Sequence, residues 1–136
     1  MASRRGNDAH ELNSLAVLAT HVAGAERFWI HEVIDRQPAL RDRDAEFGAV
    51  ASDSEQLRQR LAATGDETQR VFDGLTLAGL DATRTVRDKI VPVRWAILHV
   101  IDHTALHLGH MQITYQLWRG GSAYNSPRWH QRLPAE

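Results

Sequence analysis

Four histidines lie on one short segment that otherwise has the apolar residues of a buried helix. The segment "ILHVIDHTALHLGH" covers residues 97–110 and contains His99, His103, His107 and His110, half of the eight histidines in the chain. At about 100° per residue, these four positions fall within roughly 80° of one another on a helical wheel. Large apolar residues occupy or border the same arc, namely Trp95, Leu106, Ile113 and Leu117. The chain must therefore fold so that several imidazoles share the apolar side of one helix.

Such a cluster requires partners, because each neutral imidazole carries one hydrogen-bond donor and one acceptor. Burying several imidazoles without partners costs free energy, and a metal ion removes part of that cost by binding a nitrogen lone pair. Histidines four apart lie about 6 Å apart along a helix axis, so both can reach one ion. His99/His103 and His103/His107 have this spacing. His107/His110, three apart, is also possible, whereas His99 and His110 are too distant from each other. The spacing leaves two interpretations open, a metal site or a structural histidine cluster.

A metal site of this kind needs a third ligand from another part of the chain, because closed and catalytic sites have at least three protein ligands. His21 is the candidate, since it borders the apolar face of the first predicted helix. Taken alone, His21 also fits an ordinary histidine at the edge of a core. His31 lies nearer the polar side of the same helix, and His10 and His130 are in the termini.

The overall composition excludes several other classes of function. Sixteen basic and seventeen acidic residues give a net charge of −1, and no basic stripe indicates a nucleic-acid partner. The chain has no cysteine, so any transition-metal site must use nitrogen and oxygen ligands. No apolar run reaches the roughly 18 residues that a membrane span needs. We therefore expect a cytoplasmic protein that binds neither membrane nor nucleic acid.

Two helices are predicted in the first half of the chain. The first covers roughly 14–34, with Asn13 or Ser14 as its N-cap and apolar residues at helical spacing. A polar loop is predicted for 36–48. The second helix opens at "SDSE", where Ser52 and Glu55 fit a capping box.

The second half of the chain contains the histidine helix. Residues 79–91, "GLDATRTVRDKIV", are predicted to be irregular or extended. Pro92 suits the first turn of the following helix, which is predicted to end near Trp118, before "RGGS". We predict a single domain over 1–136, with an extended C-terminal tail at 121–136.

The order of these motifs resembles the DinB/YfiT-like superfamily of metal-binding four-helix bundles. The first motif is "LATHVAGAERFW", which contains His21 and Glu26, and the later one is "HVIDHTALHLGH", which contains His103 and His107. The segment "VRWAILH" also resembles an actinobacterial branch of the superfamily. The resemblance covers roughly residues 12–120 and implies an all-α, up-down helical bundle.

The resemblance implies a divalent transition metal, with zinc or nickel expected, held by His21, His103 and His107. At least one coordination position would remain open to water. Three neighbours would hydrogen-bond to the ligands or line the pocket, namely His99, His110 and Glu26. Glu26 also fits an ordinary glutamate on the helix surface.

Some members of the superfamily are enzymes that use low-molecular-weight thiols such as mycothiol. The resemblance therefore implies a metal-dependent S-transferase acting on a thiol and an electrophilic substrate. The alternative is a non-catalytic, metal-stabilised bundle that serves as a binding or stress-response module. A plain helical domain with structural histidines is the third possibility.

The chain departs from the superfamily at its N-terminal end. The family bundle begins with a helix before the one that carries the first ligand, and only about a dozen mostly polar residues precede Asn13 here. We therefore expect a bundle that lacks most of the family's first helix. Because a three-helix version would expose an apolar groove, we also expect a homodimer.

Overall fold

The first helix begins as predicted but changes its winding near the end. In the computed structural model, which describes residues 13–120, α1 covers Leu15–Arg27. The Ser14 Oγ accepts a 3.1 Å hydrogen bond from the Val17 backbone N–H, which confirms Ser14 as the N-cap. The helix continues as a π-helical segment, Phe28–Ile34, whose wider turns were not predicted. Residues 121–136, where the extended tail was predicted, lie outside the described residues.

The loop predicted for 36–48 contains a short helix. This helix, α2, covers Arg43–Phe47 and packs against α1. Its N-cap is Asp42, whose Oδ1 accepts a 2.9 Å hydrogen bond from the Ala45 backbone N–H. The prediction of a polar loop was wrong for these five residues, because a short helix can be stabilised by its cap and by contact with α1 without an apolar period of its own.

The third helix, α3, covers Ser54–Asp73 and packs along α1. Its N-cap is Asp53, whose Oδ1 accepts a 2.9 Å hydrogen bond from the Gln56 backbone N–H. The Gln56 Oε1 accepts in turn from the Ser52 backbone N–H at 3.2 Å. The predicted capping box of Ser52 and Glu55 was therefore wrong by one position, because the adjacent carboxylate caps the helix instead.

A hairpin connects the third helix to the histidine helix. Helix α4, Leu77–Asp81, is followed by strand β1, Thr83–Val86, and strand β2, Lys89–Pro92. The two strands pair antiparallel, with Arg84 opposite Val91. The prediction of an irregular or extended segment over 79–91 is confirmed for the strands and wrong for residues 79–81, which belong to α4. The fold class is all-α, as expected, and this small hairpin is the sheet that the described residues contain.

The histidine helix, α5, covers Val93–Trp118 and begins directly after β2. Its first turns join the core, which is formed by Ile30 and Ile34 of the π-helical segment, Val91 of β2, and Val93 and Ala96 of α5. Farther along, α5 contacts α1 on one side and leaves many apolar side chains exposed. No helix in the described part of the chain combines the length and the apolar character needed to cross a membrane.

The core near the start of α5 should dominate the stability of the fold. Ile30 is 1% exposed, so Ile30→Ala should lower the free energy of unfolding by about 2–5 kcal/mol through lost burial and the cavity left behind. Ile90 is 75% exposed on β2, so Ile90→Ala should cost less than about 1 kcal/mol. Urea unfolding of both variants checks the difference, and equal losses would contradict this account of the core.

Candidate metal centre

Three histidines from two helices converge at one point between α1 and α5. His21 lies in the middle of α1, while His103 and His107 lie one turn apart on α5. One ring nitrogen from each can be chosen so that all three atoms lie within 4.8 Å of one another. The antiparallel packing of α1 on α5 creates this convergence. The structure therefore brings together the three residues that the resemblance implies as ligands.

The spacing of the ring nitrogens fits two ligands of one ion. The Nε2 atoms of His21 and His103 are 3.1 Å apart. Imidazole nitrogens bind zinc at about 2.0–2.1 Å, which places two nitrogens of a tetrahedral site about 3.3 Å apart. The observed distance is close to this value, so a small adjustment of the two rings would accommodate an ion. Three imidazoles are also an ordinary donor set for a transition metal.

The environment keeps the α5 ligands in their neutral, metal-binding form. The pKa of His103 is lowered from 6.5 to about 4, mainly by burial and to a smaller extent by the neighbouring charges of His107, His21, His99 and Arg41. Burial is also the main cause of the lowered pKa of His107. Because metal binding requires an unprotonated nitrogen, both rings have a lone pair available at neutral pH.

A buried ion pair lies on the other side of the His21 ring. The Nδ1 of His21 is 2.8 Å from Oε2 of Glu46, a buried residue of α2. Arg41 donates to the same carboxylate twice, from Nε to Oε1 at 2.7 Å and from Nη2 to Oε2 at 2.9 Å. Burial alone would raise the pKa of Glu46, but the hydrogen bonds from Arg41 and His21 outweigh it and leave the pKa below its usual value.

The two other histidines of the cluster flank the triad. His99 stacks on Trp95 with ring centroids 4.7 Å apart and contacts the edge of Trp29 at 5.1 Å. Its ring centroid is 5.9 Å from that of His103. His110 is exposed, and its Nδ1 lies 3.3 Å from Nδ1 of His107. Both therefore border the ligands, on opposite ends of the pair His103/His107.

Glu26 lies within a contact between α1 and α3. It accepts a 2.6 Å hydrogen bond from the Thr68 hydroxyl. Among the described residues, the carboxylate that contacts a histidine of the triad is Glu46, not Glu26. Glu26 therefore takes part in the packing of α1 on α3, and the carboxylate beside the ligands is that of Glu46 in α2.

Sequence reasoning missed Glu46, Arg41 and the neighbouring Phe47. The Phe47 ring packs against His21 with centroids 5.1 Å apart. One feature of the sequence could have indicated the short helix that carries Glu46 and Phe47: Asp42, a good N-cap residue, is followed by "RDAEF". Even with that helix, the contact between residues 21 and 46 depends on the path of the intervening loop. Spacing along the sequence does not give that path.

A comparison with known families provides independent information about the chain. The family model described as "Mycothiol-S-transferase" matches residues 3–120. This match confirms the resemblance to the DinB/YfiT-like superfamily. No curated protein and no solved structure matches the chain significantly.

The three histidines should bind one equivalent of a divalent transition metal. Protein purified without a polyhistidine tag should contain or take up about one equivalent of zinc or nickel, measured by elemental analysis after dialysis. His103→Ala should abolish this binding because it removes the central ligand of the triad. His110→Gln, which changes an exposed neighbour, should retain the stoichiometry. Absence of bound metal in the wild-type protein after incubation with either ion would disprove the site.

Proposed function

The chain belongs to the mycothiol S-transferase family, and we propose that it is a metal-dependent enzyme that joins a low-molecular-weight thiol to an electrophilic substrate. The family match supports the reaction class, and the histidine triad supports the use of a metal. A mycothiol-type thiol is the proposed thiol substrate. The proposed place of action is the cytoplasm.

The observation that carries this proposal is a set of three ligands with an accessible side. Within residues 13–120, the group that could hold an ion consists of His21, His103 and His107 and includes no fourth protein ligand. His21 is buried, whereas His103 and His107 are only partly buried. A catalytic metal site has three protein ligands and an open position, while a structural site is closed by four.

The chemistry requires a sulfur nucleophile that the chain itself does not contain, because it has no cysteine. A bound divalent metal would lower the pKa of a coordinated thiol and hold it as the thiolate at neutral pH. In the proposed transfer, a sulfur–carbon bond forms to the electrophile and the thiol proton goes to solvent. The bond to the leaving group breaks, and that group keeps the electron pair.

Zinc and nickel are the proposed metals. Three neutral imidazoles suit either ion, and the absence of thiolate ligands leaves the positive charge of the site intact for an external thiol. The triad nitrogens, held by α1 and α5, would provide the ligands.

Aromatic rings border the triad, with Phe47 beside His21 and with Trp29 and Trp95 around His99. These rings would shield part of the site from water and pack against the apolar part of a substrate.

Cobalt substitution provides the direct test of thiol binding. Protein loaded with Co²⁺ should gain a sulfur-to-cobalt charge-transfer band when mycothiol, or a simple thiol such as cysteine, is added. The S-methylated form of the same thiol should leave the spectrum unchanged, because it cannot become a thiolate. The wild-type protein should also accelerate consumption of the thiol by an electrophile, and metal-depleted protein and His103→Ala should not.

The cobalt spectrum and the effect of chelation distinguish a thiol-using enzyme from a non-catalytic, metal-stabilised bundle. A cobalt spectrum that does not respond to saturating thiol would contradict the proposed enzyme. If chelation of the metal then lowers the melting temperature strongly, the result would favour the non-catalytic, metal-stabilised bundle.

A homodimer is part of the proposal, because α5 exposes apolar residues on several of its sides. A helix that is apolar on most of its sides is normally buried. The exposed aliphatic residues of α5 are Leu98, Ile101, Leu106, Leu108, Ile113 and Leu117. An exposed apolar surface of this kind typically marks an interaction site, and a two-fold pairing of α5 with its counterpart would cover part of it.

Charge substitution on α5 tests the dimer. Ile101→Glu should shift the wild-type dimer to monomer in sedimentation equilibrium, because Ile101 is 60% exposed and belongs to the proposed interface. Val50→Glu should leave the dimer intact, since Val50 is 90% exposed and lies outside α5. A monomeric wild-type protein at micromolar concentration would show that the surface has another role.

A further inference from the structure

We infer that Glu46 is the positioning residue of the metal centre: held in place by Arg41, it fixes the His21 ring with its Nε2 lone pair directed at His103. This inference rests on the proposed use of the triad as a metal site. It concerns how one ligand is prepared for the ion and assigns a role to two residues of the loop and short helix that follow α1.

The hydrogen bond between Glu46 and His21 determines the tautomer of the ring. An ionised carboxylate can only accept hydrogen bonds, so the Nδ1 of His21, 2.8 Å from Oε2 of Glu46, must carry the proton. The Nε2 of a neutral ring is then unprotonated and holds the lone pair. This atom lies 3.1 Å from Nε2 of His103, on the side where the three ligands converge. Carboxylates bound to the outer nitrogen of a ligating histidine have this effect in metal sites generally.

Arg41 keeps the carboxylate in the orientation that this contact needs. Its guanidinium donates to both oxygens of Glu46, at 2.7 and 2.9 Å, which is the two-point geometry that prevents rotation of a carboxylate. The guanidinium also lies over the Phe28 ring, 5.6 Å from its centroid. Because Arg41 neutralises the charge of Glu46, the buried pair orients His21 without adding a net negative charge to the site.

The lack of a side chain at Gly24 leaves space beside α1, and the Glu46 carboxylate occupies this space. Gly24 lies one turn after His21 on α1, and a Cβ added there would overlap the carboxylate, with Cδ of Glu46 only 2.7 Å away. A glycine inside a helix costs about 1 kcal/mol relative to alanine. Gly24 is therefore accounted for by the close approach of Glu46, which a larger residue would displace from His21.

The chain contains a closely matched pair that does not contact the triad. Arg27 and Glu32 have the same five-residue spacing as Arg41 and Glu46, and Nη1 of Arg27 is 3.1 Å from Oε1 of Glu32. The Glu32 side chain is 3% exposed and that of Glu46 is 8% exposed. The substitution Glu32→Gln therefore removes a buried charge from an ion pair of the same sequence spacing and serves as the control.

The first measurement is the affinity for zinc of the folded chain, by competition with a chromophoric chelator. Glu46→Gln should weaken zinc binding by about 10–100-fold, the range found when such orienting groups are lost. Gly24→Ala should weaken it as well, although it removes no charged group. Glu46→Asp, which keeps a carboxylate, should recover part of the affinity, and Glu32→Gln should stay within about twofold of wild type.

The second measurement reports on the ring itself and needs no metal. Long-range ¹H–¹⁵N correlation spectra of the metal-free protein should show His21 protonated at Nδ1 in the wild type and in Glu32→Gln. In Glu46→Gln the amide can donate as well as accept, so the Nε2-protonated form should appear. A readout of this kind would not change if Glu46 only stabilised the fold.

The zinc affinities and the His21 tautomer together decide whether Glu46 positions the ring. Glu46→Gln and Glu32→Gln with equal zinc affinity and the same His21 tautomer would overturn the inference. A protein that depends on Glu46 for zinc affinity but does not react with thiols would contradict the proposed function alone. If no metal binds, the tautomer of His21 still decides whether Glu46 orients the ring.

Discussion

The burial of His21 between two polar partners is the constraint around which the described part of the chain is arranged. A buried neutral imidazole needs one acceptor and one donor, or an ion in place of the donor. Glu46 accepts from one nitrogen, and the other faces His103. These two contacts tie α1 to α2 on one side and to α5 on the other. The site and the packing of three helices therefore depend on the same ring.

The core at the opposite end of the helix pair sets the register that this arrangement requires. Ile30 of the π-helical segment and Val93 of α5 are almost completely buried there. From Val93, ten residues of helix extend about 15 Å to His103. Because α1 and α5 run antiparallel, Trp29 meets Trp95 on the way, with ring centroids 5.4 Å apart. A slip of one turn in the core would separate His21 from His103.

The open side of the triad distinguishes the site from a purely structural histidine cluster. His103 and His107 are partly exposed, and burial nevertheless keeps the pKa of both rings low. The site therefore combines neutral ligands with access from solvent, which is the combination that a reaction with an external thiol needs.

The sequence alone determined the features that depend on short separations. Helical spacing placed His103 and His107 on one face of α5, and the Ser14 cap marked the start of α1. The order of the motifs indicated the family. Tertiary structure decided the rest: the approach of His21 to α5, and above all the contact of Glu46 with His21. The latter joins residues 25 positions apart through a loop, and local propensity does not fix the direction in which such a loop folds back. Only the packed structure, with space for a carboxylate at Gly24, determines it.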